Sequence, residues 1–256
     1  MRRHEVLMKS WWSVFIAFGI CLLASQVSAA DWTRLDNGLS YRKIEVHKRF
    51  SKVPYVLHAF KINPKYFDLR PINASPDKYA SLRRMVENNG AVLGVNANFF
   101  DPNGNPLGLI ISNGQQINPY RPISWWGVFS VEKGIPHIVA GPQWQKSSWV
   151  TTAIQAGPRL VAHGITLHLK PETSPKTVIG ITKNGDIILV ATLFPFDINE
   201  VARLMVGSAK KGGLECVDAL NFDGGSSTQM YAKVGTFELR LPSYLGVPVG
   251  LGVFRK

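Results

Sequence analysis

The sequence predicts an α+β fold, a single domain in which a few helices pack on a mixed β-sheet. Most segments are short runs of β-branched or aromatic residues bounded by Gly, Pro, Asn or Asp, which is typical of strands. Two other segments carry apolar residues at helical spacing. No repeat of about 20 to 50 residues occurs, and no Pro- or Gly-rich linker divides the chain, so we expect one domain.

The composition of the first 30 residues sets them apart from this domain. Three basic residues within the first nine precede an apolar stretch over 11–24, and small residues follow up to Ala30. These are the parts of a secretory signal peptide. Because a bilayer requires about 20 apolar residues, we expect cleavage near Ala30 and a periplasmic or secreted protein. An uncleaved membrane anchor is the alternative.

Residues 31–256 would then form one domain, of a length usual for mixed or mainly β proteins. The whole chain has 29 Lys and Arg against 17 Asp and Glu. Residues 1–30 hold three of the basic residues and one acidic residue, so the domain keeps a net charge of +10. This charge favours an anionic partner such as a phosphate-bearing glycan, although it would also serve solubility alone. Nucleic acid is not expected, because no basic and aromatic block or zinc-finger pattern occurs.

The strand-like segments are short and follow one another closely along the chain. Asn184-Gly185, between the fifth and sixth of them, predicts a two-residue hairpin turn. The eight predicted strands cover residues 55–62, 91–96, 108–112, 126–132, 177–182, 186–193, 217–222 and 247–254.

Two helices are predicted. The first would begin at Ser75 with Pro76 in its first position and end before Gly90. The second would begin at Asp197, and Glu200 three residues later completes a capping-box pattern. Each helix leads into a strand that ends in a polar cluster, so we expect the two clusters, 96–98 and 223–225, to meet at one end of the sheet.

The most specific cluster is ALNFDGGSSTQMY, residues 219–231. Asp223 ends a buried strand and supplies an acid, a base or a nucleophile. Gly224 and Gly225 allow a positive φ or a close approach of a ligand, and the amides of such a turn bind anions. A tight turn alone needs only one Gly and one Asp or Asn, so the excess of small polar groups favours a functional site. The added hydroxyl groups belong to Ser226, Ser227 and Thr228.

The second cluster follows the predicted strand at 91–96. Asn96 and Asn98 are two residues apart, so both amides face the same side of an extended strand and offer ligands for sugar hydroxyls or phosphate. Asp101, in the turn that follows, is a reserve second carboxylate. The alternative is that the amides satisfy backbone groups at a strand end and that the turn is structural.

Two basic residues complete the candidate site. Arg159 follows Gly157-Pro158, and a guanidinium fixed there would grip a phosphate with two hydrogen bonds; a surface ion pair is the alternative. Lys176 and Thr177 lie at the start of a predicted strand and are a weaker signal.

Several chemistries are excluded by missing motifs. The chain has no P-loop, no G-x-G-x-x-G after a strand and no G-x-S-x-G nucleophile elbow. Cys216 is the single cysteine after residue 30, so we expect no disulfide and no thiolate zinc site, and we predict a buried, inert thiol. No cofactor is predicted, and a divalent cation at Asp101 or Asp223 stays open.

Four segments together resemble, in order and spacing, the phosphodiester glycosidase family, and the likeness runs from about Tyr55 to Phe254. These segments are GVNANFFDPNGNPLGLIISNG (94–114), QAGPRLV (155–161), KTVIGI (176–181) and DALNFDGGSSTQMY (218–231). The resemblance implies a mixed α+β domain that hydrolyses the bond between a sugar's anomeric carbon and a phosphodiester oxygen. Its site residues would be Asn96, Arg159, Thr177, Asp223, Gly224, Gly225 and Ser226.

Two positions depart from the family pattern. Lys176 stands where an arginine is usual, which keeps the charge and loses bidentate geometry, and Asn98 stands where glycine is common. We therefore expect an exported sugar-phosphodiester hydrolase whose substrate the sequence does not identify. In this interpretation Asp223 is the base or nucleophile, and Arg159, Lys176 and the turn amides hold the phosphate. A non-catalytic polysaccharide-binding protein and a phosphodiesterase or phosphatase that cleaves the P–O bond are the alternatives.

Overall fold

The structure is a computed structural model, and it describes residues 26–29, 31–49, 51–243 and 245–256. The predicted signal peptide therefore lies almost entirely outside the described residues. Its last part, Gln26–Ala29, forms a short strand that pairs with residues 44–47. Within the described ranges, no helix is long and apolar enough to span a membrane.

Strands dominate the described part of the chain, which has two α-helices, α1 (Leu82–Asn89) and α2 (Ile198–Val206). The strands are β1 (Gln26–Ala29), β2 (Thr33–Asp36), β3 (Leu39–His47), β4 (Tyr55–Ile62), β5 (Phe67–Asn73), β6 (Leu93–Asn96), β7 (Ile110–Ser112), β8 (Gln115–Asn118), β9 (Gly127–Glu132), β10 (Ile135–Ala140), β11 (Val150–Ala156), β12 (Arg159–Ala162), β13 (Ile165–Thr166), β14 (Thr173–Ser174), β15 (Thr177–Thr182), β16 (Ile187–Thr192), β17 (Phe196–Asp197), β18 (Cys216–Asn221), β19 (Met230–Val234), β20 (Phe237–Leu241) and β21 (Val249–Arg255).

The described strands form three larger sheets and one small pair. The first sheet has nine strands in the order β1-β3-β4-β16-β15-β18-β12-β13, with β2 also paired to β3. The second has the order β10-β9-β11-β7-β8, the third has the order β20-β19-β6-β21-β5, and β14 pairs with β17.

The expectation of one mixed sheet with helices packed on it is wrong in its topology. Every ladder between the described strands is antiparallel, and the strands divide among several sheets. Phe60, Phe129 and Leu251, one from each larger sheet, meet in one core and are fully buried. The outer face of the first sheet is covered by α2, whose Val201 and Met205 pack in a second core. The described part of the chain is thus mainly β, with two α-helices.

The second helix forms as predicted, and the first begins later than predicted. Asp197 caps α2 by accepting a 2.9 Å hydrogen bond from the Asn199 amide. The first helix begins only at Leu82, because the backbone of Ala80 is paired with Val247 by hydrogen bonds of 3.0 and 3.2 Å. The Ser81 side chain then provides the N-cap, and the helix ends at Gly90, as expected.

The predicted strands are confirmed to within about two residues at their ends, and 55–62 and 177–182 match in full. The Asn184-Gly185 hairpin between β15 and β16 exists, but its turn is longer than predicted. The carbonyl oxygen of Thr182 accepts from the Gly185 amide, and the amide of Thr182 donates to the Asp186 carbonyl oxygen, both at 2.9 Å. The turn between Thr182 and Asp186 therefore contains three residues, 183–185. Gly185, with φ of +83°, takes the left-handed position of this turn.

Candidate active site

The two predicted polar clusters meet, although they follow strands of different sheets. The Asp223 amide donates to the carbonyl oxygen of Ala97 at 2.9 Å. In return, the Asn96 side-chain amide donates to the carbonyl oxygen of Asp223 at 2.7 Å. The end of β18 is therefore fixed against the end of β6, where the first and third sheets come together.

Asn96 is the centre of this junction. Its side chain is 1% exposed, and its Oδ1 accepts from the Thr177 hydroxyl at 2.6 Å and from the Gln229 amide at 3.0 Å. Thr177 is itself fully buried. Since the amide group is occupied on both sides by protein partners, Asn96 and Thr177 position the Asp223 turn and do not present free groups to a ligand.

The turn after Asp223 is held mainly by its own backbone. The amide of Gly225 donates to the carbonyl oxygen of Pro175 at 2.9 Å, and the amides of Ser227 and Thr228 donate to glycine carbonyl oxygens within the turn. A methyl group added at Gly224 would lie 2.7 Å from the Pro175 oxygen. Glycine is thus required at 224 by close packing, and most of the turn amides expected to bind an anion are already engaged.

The carboxyl group of Asp223 is partly buried, and its surroundings change its acidity. Burial raises the pKa of Asp223 from 3.8 to about 6 because the charged form loses solvation. Hydrogen bonds from the Ser227 hydroxyl and the Gly224 amide act in the opposite direction and lower the pKa. Asp223 therefore exchanges its proton near neutral pH, which suits a group that takes part in proton transfer.

Asp223 lies in a cleft of about 550 Å³. The wall includes an aromatic side, where Trp125 is 59% exposed and packs edge-on against the buried Trp126. The cleft is lined by Phe99, Trp125, Gly157, Pro158, His168, Leu169, Lys170, Glu172, Ser174, Lys176, Ile198, Asn221, Asp223 and Gly224. Apolar walls with a few convergent polar groups are usual for small-molecule sites.

Lys176 carries the buried positive charge of the cleft. Its side chain is 1% exposed, and its ammonium group donates to the Ser174 hydroxyl at 2.6 Å. The same ammonium group forms a salt bridge with Glu172, whose side chain is 54% exposed. The cleft thus contains one acid of raised pKa and one buried cation whose counter-ion faces solvent.

Three other predicted residues lie outside the cleft wall. The stem of Arg159 packs beside Gly127, where an added methyl group would meet its Cγ at 2.7 Å, and Arg159 is partly exposed. Asn98 is 2% exposed and donates to the Gln155 carbonyl oxygen at 3.1 Å, while its buried Oδ1 has no hydrogen-bond partner among the described residues. Asp101 is in a surface turn, where Asn103 and Asn105 donate to it and lower its pKa.

The remaining hydroxyl groups of the turn differ in exposure. Ser226 is exposed, and its carbonyl oxygen accepts from the Ser243 hydroxyl. Ser227 is 6% exposed and contacts Asp223. Thr228 is 2% exposed, and its buried hydroxyl oxygen has no hydrogen-bond partner within the part of the chain that the structure describes. Of the three, Ser227 is the one whose side chain acts on the carboxylate.

Several residues of the cleft were not predicted from the sequence. Glu172 stands four residues before Lys176, and this acidic residue near a predicted basic one was the available signal. Trp125 and His168 carry no distinctive local pattern, because Trp125-Trp126 looks like the start of an ordinary apolar strand and His168 stands alone among apolar and basic residues. Cys216, by contrast, is buried as predicted, and burial raises the pKa of its thiol.

A metal site is not evident from side-chain clustering. The described residues contain no group of three or more His, Cys, Asp or Glu side chains that could hold a metal ion.

Comparison with known proteins identifies the family. The sequence model of the phosphodiester glycosidase family matches residues 89–254, which include all four polar segments. The chain therefore belongs to the phosphodiester glycosidase family. No curated protein matches the chain in sequence at a significant level.

Solved structures share the fold at low sequence identity. The catalytic domain of zebrafish N-acetylglucosamine-1-phosphodiester alpha-N-acetylglucosaminidase, auto-inhibited by its pro-peptide, has a TM-score of 0.67 and 14% identity, over 91% of this chain and 88% of that chain. A hypothetical protein from Synechocystis has a TM-score of 0.61 and 18% identity, over 91% and 68% of the two chains. A Burkholderia pseudomallei protein described as exported has a TM-score of 0.58 and 10% identity, over 91% and 97%.

Proposed function

We propose that the protein hydrolyses a sugar phosphodiester at the bond between the anomeric carbon and the phosphate oxygen. The observation that carries this proposal is Asp223, a carboxyl group of raised pKa fixed in a cleft that also holds the buried cation Lys176. Membership of the phosphodiester glycosidase family supports the reaction class.

Asp223 is the residue to which we assign the chemical step. Cleavage of a glycosidic bond passes through a state that resembles an oxocarbenium ion. As a base, ionised Asp223 takes a proton from water, the water oxygen bonds to the anomeric carbon, and the phosphate leaves with the electron pair of the C–O bond. As a nucleophile, Asp223 forms that bond itself before water replaces it. Both roles need the ionised carboxylate, because only this form can accept a proton or attack the anomeric carbon. A general acid is less necessary, because phosphate is a good leaving group that requires little protonation.

Lys176 and the aromatic wall provide the binding contacts in this proposal. The ammonium group binds the phosphate, since a desolvated cation interacts strongly with an anion. Arg159 directly follows Pro158, which lines the cleft. In this proposal Arg159 adds positive potential near the phosphate without contacting it. Asn96, Thr177 and the glycine turn keep Asp223 in place. Trp125 offers an exposed ring on which a sugar can lie.

The proposal is tested by turnover of a nitrophenyl phosphodiester of N-acetylglucosamine and of other sugars. We expect the wild-type chain to release the nitrophenyl phosphate and Asp223→Asn to lose at least about 100-fold in kcat, the scale of acid–base or nucleophilic catalysis. Asp218→Asn is the matched control, because Asp218 is on the same strand, β18, and outside the cleft. Equal loss in both variants, or none in Asp223→Asn, would refute the assignment.

Binding without turnover would favour the alternative of a non-catalytic polysaccharide-binding protein. In that case the chain would retain glycans on an affinity gel, Asp223→Asn would retain them equally, and no sugar would be released. The raised pKa of the partly buried Asp223 carboxyl group favours the enzyme, because catalytic acids and bases often have shifted pKa values.

Export is the proposed location. The basic start, the short apolar stretch and the small residues up to Ala30 support it, as does the likeness to a Burkholderia pseudomallei protein that is described as exported. Expression of the full chain in a Gram-negative host, followed by N-terminal sequencing of the periplasmic fraction, tests this. A new N-terminus near residue 30 is expected, and a full-length chain in the cytoplasm would contradict it.

A further inference from the structure

We infer that Glu172 is a displaceable counter-ion: its carboxylate is the anion paired with Lys176 in this structure, and the substrate phosphate replaces it. This inference rests on the proposed function for the identity of the displacing anion. It assigns to Glu172 a role in selecting substrates by charge.

The two partners of the salt bridge differ sharply in exposure. Lys176 is 1% exposed, whereas Glu172 is 54% exposed, and both line the cleft that holds Asp223. An ammonium group removed from water needs a compensating anion. The lysine has few alternative positions, while the glutamate side chain can rotate into solvent. An incoming anion would therefore move Glu172 and leave Lys176 where it is.

The backbone near Glu172 is fixed, so displacement involves the side chain alone. The carbonyl oxygen of Glu172 accepts from the Ile198 amide at 3.0 Å, at the start of α2. The next residue, Thr173, pairs with Asp197 in the β14–β17 ladder. Ser174, whose hydroxyl accepts from Lys176 at 2.6 Å, keeps the ammonium group partly satisfied during the exchange.

Charge selection follows from this arrangement. A neutral sugar cannot replace the carboxylate on Lys176, because it would leave the buried ammonium group without an anion. A phosphate-bearing sugar brings its own negative charge and meets no such cost. Glu172 thus disfavours neutral glycans in the cleft and lowers the affinity for phosphate by competing with it.

Binding of inorganic phosphate, measured by calorimetry at low ionic strength, tests the inference without any need for turnover. We expect Glu172→Gln to bind phosphate roughly fivefold more tightly than the wild-type chain, the effect of losing one partly exposed competing carboxylate. Glu45→Gln is the matched control, because Glu45 forms a partly exposed salt bridge with Lys43 outside the cleft and its loss changes the net charge equally. This control should bind phosphate as the wild-type chain does.

A second variant protects the test against a folding artefact. Glu172→Ala should also bind phosphate more tightly, and thermal unfolding of each variant reports whether it is folded. Unchanged or weaker phosphate binding in both folded variants, or an equal gain in Glu45→Gln, would overturn the inference. Tighter phosphate binding in the Glu172 variants together with no hydrolysis of sugar phosphodiesters would sustain the inference and refute the proposed function.

Discussion

The side-chain amide of Asn96 donates a 2.7 Å hydrogen bond to the backbone carbonyl oxygen of Asp223, 127 residues later in the chain. This contact joins the end of β6 to the end of β18 and so connects two sheets. Because Asn96 is buried and has further partners in Thr177 and Gln229, it helps to hold the Asp223 turn at this junction, together with the backbone hydrogen bonds of the turn.

Replacement of Asn96 by Ala should therefore destabilise the protein. The change leaves the Thr177 hydroxyl and the Gln229 amide buried without an acceptor, and each such group costs about 1–3 kcal/mol. We expect the free energy of unfolding in urea to fall by about 2–4 kcal/mol. Asn184→Ala, at the exposed tip of the β15–β16 hairpin, is the control and should change it by less than about 0.5 kcal/mol. Similar losses in the two variants would contradict the role given to Asn96.

The adjacent glycines of the turn should respond differently to alanine. Gly225 has φ of +59° and open space around it, so Gly225→Ala should cost about 1–2 kcal/mol through backbone conformation alone. At Gly224 φ is −121°, which any residue adopts. There the added methyl group would instead lie 2.7 Å from the Pro175 carbonyl oxygen and push the turn away from β15.

Activity separates the two glycine variants. Gly224→Ala should lower kcat by more than about tenfold, because Asp223 and Lys176 lie on the two segments forced apart, whereas Gly225→Ala should retain most of the wild-type kcat. Steady-state kinetics with a sugar phosphodiester measure this. A larger loss in Gly225→Ala than in Gly224→Ala would show that backbone strain, and not close packing, governs the turn.

The stability of the protein should depend on pH through Asp223. Burial raises the pKa of Asp223 from 3.8 to about 6 in the folded protein, so the folded state holds this proton more strongly than the unfolded state. The stabilisation that this contributes is complete below pH 3.8 and is lost as pH rises to about 6. Asp223→Asn has no carboxyl group to ionise at this position and so does not lose this stabilisation. At pH 7.5 its free energy of unfolding should exceed that of the wild-type chain by up to about 3 kcal/mol.

Urea unfolding of both proteins at pH 4 and pH 7.5 provides the comparison. The two free energies of unfolding should lie close together at pH 4 and differ at pH 7.5, with Asp223→Asn the more stable protein. A constant difference between the two pH values would mean that the pKa of Asp223 is not raised.

The rate of hydrolysis should follow ionisation of the same group. As base or nucleophile, Asp223 must be charged, so kcat/KM should rise as pH increases through about 6 and then reach a plateau. A profile of kcat/KM from pH 4 to pH 8.5 measures this. A rate that falls through pH 6 would instead assign Asp223 as a general acid.

The sequence predicted the elements whose signals are local. Strand 177–182 and helix 198–206 follow from residue types and spacing within a few positions of each other, and the structure confirms both. The later start of α1 depends on the pairing of Ala80 with Val247, and no pattern near residue 80 encodes a partner so distant in the chain. The division into several sheets was missed for a related reason. β16, for example, is buried on both faces and shows no alternation to indicate which sheet covers it.

The candidate site shows the same division. Asp223 and the two glycines were singled out because small polar groups in that number exceed the needs of a turn, and their role in a site stays a prediction. The contacts of Asn96 and Thr177 across the sheet junction were not foreseen, because sequence spacing does not reveal contacts between sheets. Glu172 was not foreseen as a carboxylate of the cleft, because only the fold places residues 168–176 beside Asp223.

Hydrolysis in ¹⁸O-labelled water shows most directly which bond of the substrate the protein breaks. Products of a sugar phosphodiester, separated and analysed by mass spectrometry, show where the oxygen of water has gone. The proposed mechanism predicts that ¹⁸O enters the anomeric hydroxyl group of the released sugar and that the phosphate product carries none. Incorporation of ¹⁸O into the phosphate would mean cleavage of the P–O bond and would contradict the assignment of Asp223 to chemistry at the anomeric carbon.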